Sequence, residues 1–174
     1  KSHKNTTSVW GSEIVTNRYE SSLKIGYVFP DLPYQSFGAQ LSYSDHSQES
    51  YFGLRTYDIQ HKSGFANLLF NSILGNTLHK FKTGIQFAYD AYDERIEIQT
   101  ANRIDRSFGA FFEYSYDSLD RLNMILGLRF DHHNNVGNFL TPRAHIRYAF
   151  SDTSSLRFSV GSGRRVAAAF AENQ

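Results

Sequence analysis

The sequence predicts an all-β chain, an antiparallel up-and-down transmembrane β-barrel segment of about eight strands with alternating short turns and long loops. Three observations predict it. Apolar and polar residues alternate with period two in segment after segment. Aromatic residues make up 16% of the 174 residues, 15 Phe and 11 Tyr against one Trp, while Ala, Leu, Glu and Lys are too few for a helical protein. Short connections rich in Pro, Gly, Asn, Asp and Ser alternate with longer ones in which polar and aromatic residues mix.

Taken in order, the first strand is expected near 19 to 29, ending on Tyr27 and Phe29 beside a short turn at Pro30 to Gln35. The second, 36 to 45, sets Phe37, Ala39, Leu41 and Tyr43 against Ser36, Gly38, Gln40 and Ser42. The third, 64 to 74, has apolar residues on both faces; Ala66, Leu68 and Phe70 are expected to face outward because Asn67 and Asn71 share the other face. The fourth, 79 to 90, follows a short turn at Gly75 to Leu78 and carries Tyr89 near its end. The fifth, 106 to 117, sets Phe108, Ala110, Phe112, Tyr114 and Tyr116 against Ser107, Gly109, Glu113, Ser115 and Asp117. After the turn Ser118 to Asp120, the sixth, 121 to 132, has the cleanest alternation, with Leu122, Met124, Leu126, Leu128 and Phe130 facing away from Asn123, Ile125, Gly127, Arg129 and Asp131.

Energy chooses the face of the seventh strand, 139 to 150. Were Arg143 and Arg147 to face lipid, each would cost about 2 to 4 kcal/mol near the midplane. The opposite register turns Leu140, Pro142, Ala144, Ile146, Tyr148 and Phe150 outward and leaves a basic row inside. A short turn at Ser151 to Ser154 leads to the eighth strand, 155 to 163. Each segment has roughly the 9 to 11 residues that a tilted strand needs to cross a bilayer.

Longer connections fall at His46 to Ser63, Ala91 to Asp105 and His133 to Asn138. Short turns on one side and long loops on the other are the habit of outer-membrane barrels, the short turns being periplasmic. Aromatics gather at both ends: Tyr27, Phe29, Phe37, Tyr116, Tyr148 and Phe150 beside the short turns, and Tyr43, Tyr89, Phe108 and Phe130 beside the long loops. A soluble sandwich also alternates, but its turns come every 8 to 12 residues or so without this rhythm, and its exposed face is the polar one.

Composition narrows the function classes. A net charge of +1 gives no field that would draw the chain onto nucleic acid. No run of 18 apolar residues exists and mean hydropathy is -0.46, which excludes a membrane-spanning helix but not a barrel, whose alternation averages out. Without Cys there is no disulfide, thiolate metal site or redox site. The sequence opens at Lys1 with no leader, so targeting is inferred from the body of the chain.

The last third, from Gly127 to Gln174, carries a more specific pattern. Gly127, Arg129 and Asp131 spell G-L-R-x-D, and Thr141, Pro142 and Arg143 spell T-P-R. Leu156, Arg157, Ser159, Gly161, Gly163 and Arg165 follow as L-R-x-S-x-G-x-G-x-R, with Phe170, Glu172 and Asn173 beyond them. This resembles the barrel of TonB-dependent receptors. The earlier stretch from Gly26 to Leu54 resembles receptors of Bacteroidetes-type bacteria, so the resemblance extends over nearly the whole chain.

The resemblance implies a barrel of about 22 strands around an N-terminal plug. It also implies uptake of scarce ligands such as ferric siderophores, cobalamin or glycans across the Gram-negative outer membrane, driven by TonB and proton-motive force. Residues 1 to 174 are read as part of the barrel alone, with the plug that meets the TonB complex absent and no aromatic residue at the end. About eight strands would leave two unpaired edges, which a bilayer does not tolerate, so the chain is expected to be a fragment of a larger protein.

Arg129, Arg143, His145, Arg147 and Arg157 are expected to project into the lumen on adjacent strands. They suit an anionic ligand; the favoured alternative pairs them with plug carboxylates or with neighbours such as Asp131 and Glu113. Tyr51, Phe52, Tyr57 and Tyr92, with Tyr89, are loop residues that could stack on sugars or an aromatic siderophore, or pack the loops against one another. Asp131, His132 and His133 suggest a metal, but neighbours on a strand point to opposite faces, so no metal site and no cofactor is expected.

Two rival classes remain. An outer-membrane hydrolase would hold Asp, His or Ser at the rim, where Asp45 with His46 and Asp131 with His132 lie, yet no companion motif is present. A small stand-alone barrel acting as an adhesin or structural anchor would need its first and last strands to pair, about eight being the smallest bacterial size.

Overall fold

The computed structural model describes residues 10–118 and 121–164. The described residues form eight strands and no helix: β1 (Ser12–Phe29), β2 (Leu32–Phe52), β3 (Arg55–Leu74), β4 (Asn76–Ile96), β5 (Gln99–Asp117), β6 (Leu122–His133), β7 (Gly137–Ser151) and β8 (Ser154–Gly161). All belong to one sheet in the order β1-β2-β3-β4-β5-β6-β7-β8, so every strand pairs with its sequence neighbours in an up-and-down meander. Each segment expected from the sequence lies within or largely overlaps one of these strands. Arg165, Phe170, Glu172 and Asn173 of the resemblance, and Leu119 and Asp120 of one turn, lie outside the described residues.

The expected long connections differ in conformation. His46 to Ser63 and Ala91 to Asp105 are not irregular loops; β2, β3, β4 and β5 run through them for 21, 20, 21 and 19 residues and close in tight turns at Gly53–Leu54 and Glu97–Ile98. Gly53 supplies the left-handed backbone that the first of these turns needs, with φ 64°, and Glu97 adopts φ 55° at the second. The length difference between the two sides therefore persists, carried by prolonged hairpins. These strands have roughly twice the 9 to 11 residues that a crossing requires.

The chain divides into two compact units. The first comprises residues 1–24, 40–66 and 87–106 and holds both prolonged hairpins. Its strand ends are tied by the Gly53 amide, which donates to the Gly11 carbonyl at 2.7 Å. The second comprises residues 25–39, 67–86 and 107–174. It contains the short turns, β6, β7 and β8, and the residues considered next.

Register separates the two faces of this second unit without ambiguity. Phe112 pairs with Leu128 and Leu128 with Pro142, while Tyr114, Leu126, Ala144 and Val160 form the next row on the same face. Leu126 is 40% exposed, Leu128 48% and Phe158 56%, although a water-soluble fold would bury them. Across this face run Phe37, Phe70, Phe81 and Phe112, one from each of four successive strands, with ring centroids 5.7, 5.9 and 5.9 Å apart. Phe70 therefore stands on the outward face, and Asn71 donates to Ser36 Oγ at 3.1 Å.

Among the described residues no apolar side chain is buried; the buried polar and charged residues are Ser50, Ser72, Asp105, Asp131 and His133, with Gly109 buried beside Asp131. That distribution is the reverse of a sandwich, which needs a second sheet and an apolar interior. The polar groups are sheltered and the greasy ones face outward, as in a sheet whose outer solvent is hydrocarbon.

Candidate functional site

The polar face of the second unit is built in cross-strand rows. From β5 to β8 these are Gly109–Asp131–Phe139, Phe111–Arg129–Thr141, Glu113–Gly127–Arg143–Gly161, Ser115–Ile125–His145–Ser159 and Asp117–Asn123–Arg147–Arg157. Arg129, Arg143, His145, Arg147 and Arg157 thus share one face, because residues directly opposite in a ladder point the same way.

Three of the five are engaged by neighbours. Arg129 Nε donates to Asp131 Oδ2 at 2.7 Å and Nη2 donates to Oδ1 at 2.6 Å, an arrangement that i and i+2 on one strand permit. Arg129 Nη1 also donates to Gln86 Oε1 at 3.0 Å, a partner contributed by β4. Arg143 donates to Glu113 from two strands away. His145 Nδ1 lies 2.6 Å from Ser159 Oγ, directly across the β7–β8 ladder.

Glycines make these reaches possible. A Cβ at Gly109 would fall 2.3 Å from Asp131 Oδ1 and 2.7 Å from Arg129 Nη2, so the ion pair lies over that residue. A Cβ at Gly127 would fall 2.7 Å from Arg143 Nε, because the arginine crosses the glycine on its way to Glu113. Phe111 occupies the space above Gly84 in the same manner, with Cε1 at 2.9 Å from such a Cβ. The sequence shows the glycines as gaps in the alternation; which side chain fills each gap depends on register.

Asp131 is 5% exposed and buried with its charge, which its pairing alone makes tolerable. Asp131→Asn is expected to destabilise the full-length protein by about 2 kcal/mol, less than a fully buried pair would lose because a third of the Arg129 side chain meets solvent. Urea titration of wild type, both single variants and Arg129→Gln/Asp131→Asn measures it. Losses that simply add would show that the two residues do not interact.

In the first unit the aromatic candidates occupy the prolonged hairpins. Tyr57 OH donates to Glu94 Oε1 at 3.2 Å; burial, reinforced by the Glu94 charge, pushes its phenol up to about 12. The Tyr92 ring stacks on His61 at 4.2 Å with 4° between planes, and Arg103 Cζ from β5 sits 4.6 Å from its centroid. His61 Nε2 in turn lies 2.9 Å from Asp90 Oδ1. Burial raises the Tyr92 phenol, helped by Asp90 and opposed by Arg103. Tyr51 lies against Gly11, its hydroxyl 3.8 Å from where a Cβ would stand, and Phe52 is exposed at the end of β2. Sequence reasoning missed His61, Gln86 and Arg103, which carry no motif and meet their partners only through strand pairing.

Neither rim pair assembles as a catalytic base. Asp45 accepts from Tyr43 OH at 3.4 Å and lies 4.0 Å from Lys62 Nζ, while Asp131 is taken by Arg129. His132, on the opposite face from Asp131, has Nδ1 2.7 Å from Asn138 Oδ1. Among the described residues no group of three or more His, Asp or Glu side chains is placed to hold a metal ion.

Comparison with known proteins agrees with this architecture. The alcaligin outer membrane receptor FauA from Bordetella pertussis has TM-score 0.73 at 14% identity, covering 86% of this chain and 29% of that one. FpvAI, solved in complex with pyocin S2, has TM-score 0.65 at 13% identity, with 83% and 25% covered. The unliganded ferric citrate transporter FecA has TM-score 0.54 at 14% identity, with 83% and 27% covered. At such identities the likeness is one of fold, and the chain spans between a quarter and a third of those structures. No curated protein matches. The family model described as TonB dependent receptor-like, beta-barrel matches residues 2–174, and the family is one of transport receptors of the Gram-negative outer membrane. The chain therefore belongs to the TonB-dependent receptor β-barrel family.

Proposed function

We propose that this chain is one section of the wall of an outer-membrane receptor that imports a scarce ligand, a ferric siderophore, cobalamin or a glycan, with energy delivered by TonB. The match of the family model to nearly the whole chain carries this reading. The outward apolar face supports it physically, since exposed Leu126, Leu128 and Phe158 are stable only against hydrocarbon or a covering partner. In this reading the remaining strands and an N-terminal plug come from the same polypeptide, and the plug meets TonB. Arg129, Arg143, His145, Arg147 and Arg157 line the lumen, where they meet ligand or plug, and Tyr51, Phe52, Tyr57 and Tyr92 stand on the extracellular hairpins.

The test uses the full-length protein in a Gram-negative host. It is expected in the outer-membrane fraction, and cells are expected to accumulate one labelled ligand from a panel of ferric siderophores, cobalamin and oligosaccharides. Accumulation that persists when TonB is removed, or a protein found outside the outer membrane, would overturn the reading.

A further inference from the structure

His79 is a side chain that hydrocarbon does not suit, yet it stands on the outward face. Its imidazole packs against Tyr114 and Tyr116, with ring centroids 6.0 and 5.0 Å away. Both tyrosines lie in outward rows, Tyr114 opposite Leu126 and Tyr116 opposite Met124. Phe81, two residues further along β4, contacts Phe70 and Phe112 on that same face, as alternation requires. An ionisable residue turned toward lipid is costly unless it finds a partner. One ring nitrogen has found it, for Nδ1 lies 2.5 Å from the Tyr114 hydroxyl. Among the described residues neither His79 Nε2 nor the Tyr116 hydroxyl has a hydrogen-bond partner.

We propose that His79 and Tyr116 bind the phosphate of a phospholipid in the periplasmic leaflet, an inference that rests on the receptor reading above because it requires this face to meet a membrane. Tyr114 is the positioning residue. Its hydroxyl donates to Nδ1, which leaves the neutral imidazole with its proton on Nε2, and that N–H donates to a phosphate oxygen. The Tyr116 hydroxyl donates to the same group. Depth favours a headgroup as the occupant. His79 is the fourth residue of β4 and Tyr116 the last but one of β5, both beside short turns and so at the periplasmic side. The row of four phenylalanines reaches β4 at Phe81, about 7 Å along the strand from His79, so the imidazole stands where hydrocarbon gives way to headgroups. Water would satisfy either donor singly. A phosphate accepts from both, and its charge makes each bond shorter and stronger.

The test uses the full-length receptor, its histidine ring nitrogens isotope-labelled, in vesicles of phosphatidylethanolamine and phosphatidylglycerol. Solid-state dipolar recoupling between ring nitrogen and lipid phosphorus is expected to dephase a histidine signal in wild type. His79→Phe, which keeps a ring for the tyrosines to pack on, is expected to abolish that dephasing, and Tyr114→Phe to weaken it while the protein still inserts. A wild type without dephasing, or dephasing unchanged in either variant, would overturn the site. Equal dephasing by inorganic phosphate in maltoside detergent would overturn it too, pointing to an anion from solution. A receptor that inserts and accumulates ligand without dephasing defeats the phosphate site alone. One that stays outside the outer membrane removes both readings.

Discussion

Leu126→Arg is expected to destabilise the full-length protein by about 2 to 4 kcal/mol, whereas Ile125→Arg, one residue away, costs less than about 1 kcal/mol. The two side chains are almost equally apolar, so a water-soluble protein would treat them alike or penalise the more buried one. Here Ile125 is the more sheltered of the two, in the row Ser115–Ile125–His145–Ser159, and Leu126 is 40% exposed in the row Tyr114–Leu126–Ala144–Val160. A guanidinium at 125 enters a face already furnished with polar groups; at 126 it enters hydrocarbon with no partner. The midpoint of urea unfolding in detergent or lipid, followed by heat-modifiable gel mobility, measures both. Equal losses, or the larger loss at 125, would refute the assignment of faces.

Gly84→Val is the second large effect, about 3 kcal/mol of destabilisation. A Cβ at this position would stand 2.3 Å from the Leu68 carbonyl oxygen as well as 2.9 Å from Phe111 Cε1. The ring can swing aside at the loss of its packing, but the carbonyl belongs to the backbone of β3 and moves only with the sheet. Gly64→Ala, where a Cβ would meet nothing within 4 Å, is the matched control and is expected to shift stability by less than about 0.5 kcal/mol. A Gly84 variant as stable as the Gly64 variant would mean that β3 and β4 do not approach as described.

The fold was legible wherever one face meets an apolar solvent and the other does not. In β6 and β7 the demand that Arg129, Arg143 and Arg147 avoid lipid fixes the register, and the ladders Leu126–Ala144 and Gly127–Arg143 follow it. The prolonged halves of β2 to β5 were not legible for the same reason. Where polar and aromatic residues mix, as at His46, Tyr51, Tyr92 and Asp93, no alternation marks the strand, although the strands continue. The candidate site divides likewise. Arg129 and Asp131 are two apart on one strand, and their pairing can be read directly. The contacts of Tyr92 with His61 and with Arg103 depend on which residues three different strands bring to one level, and single strands do not encode that.

The glycine seats also determine how far the wall protrudes. Arg143 bends along the sheet over Gly127, the Arg129 ion pair lies across Gly109, and Phe111 reclines on Gly84, so these large side chains lie along the sheet instead of standing off it.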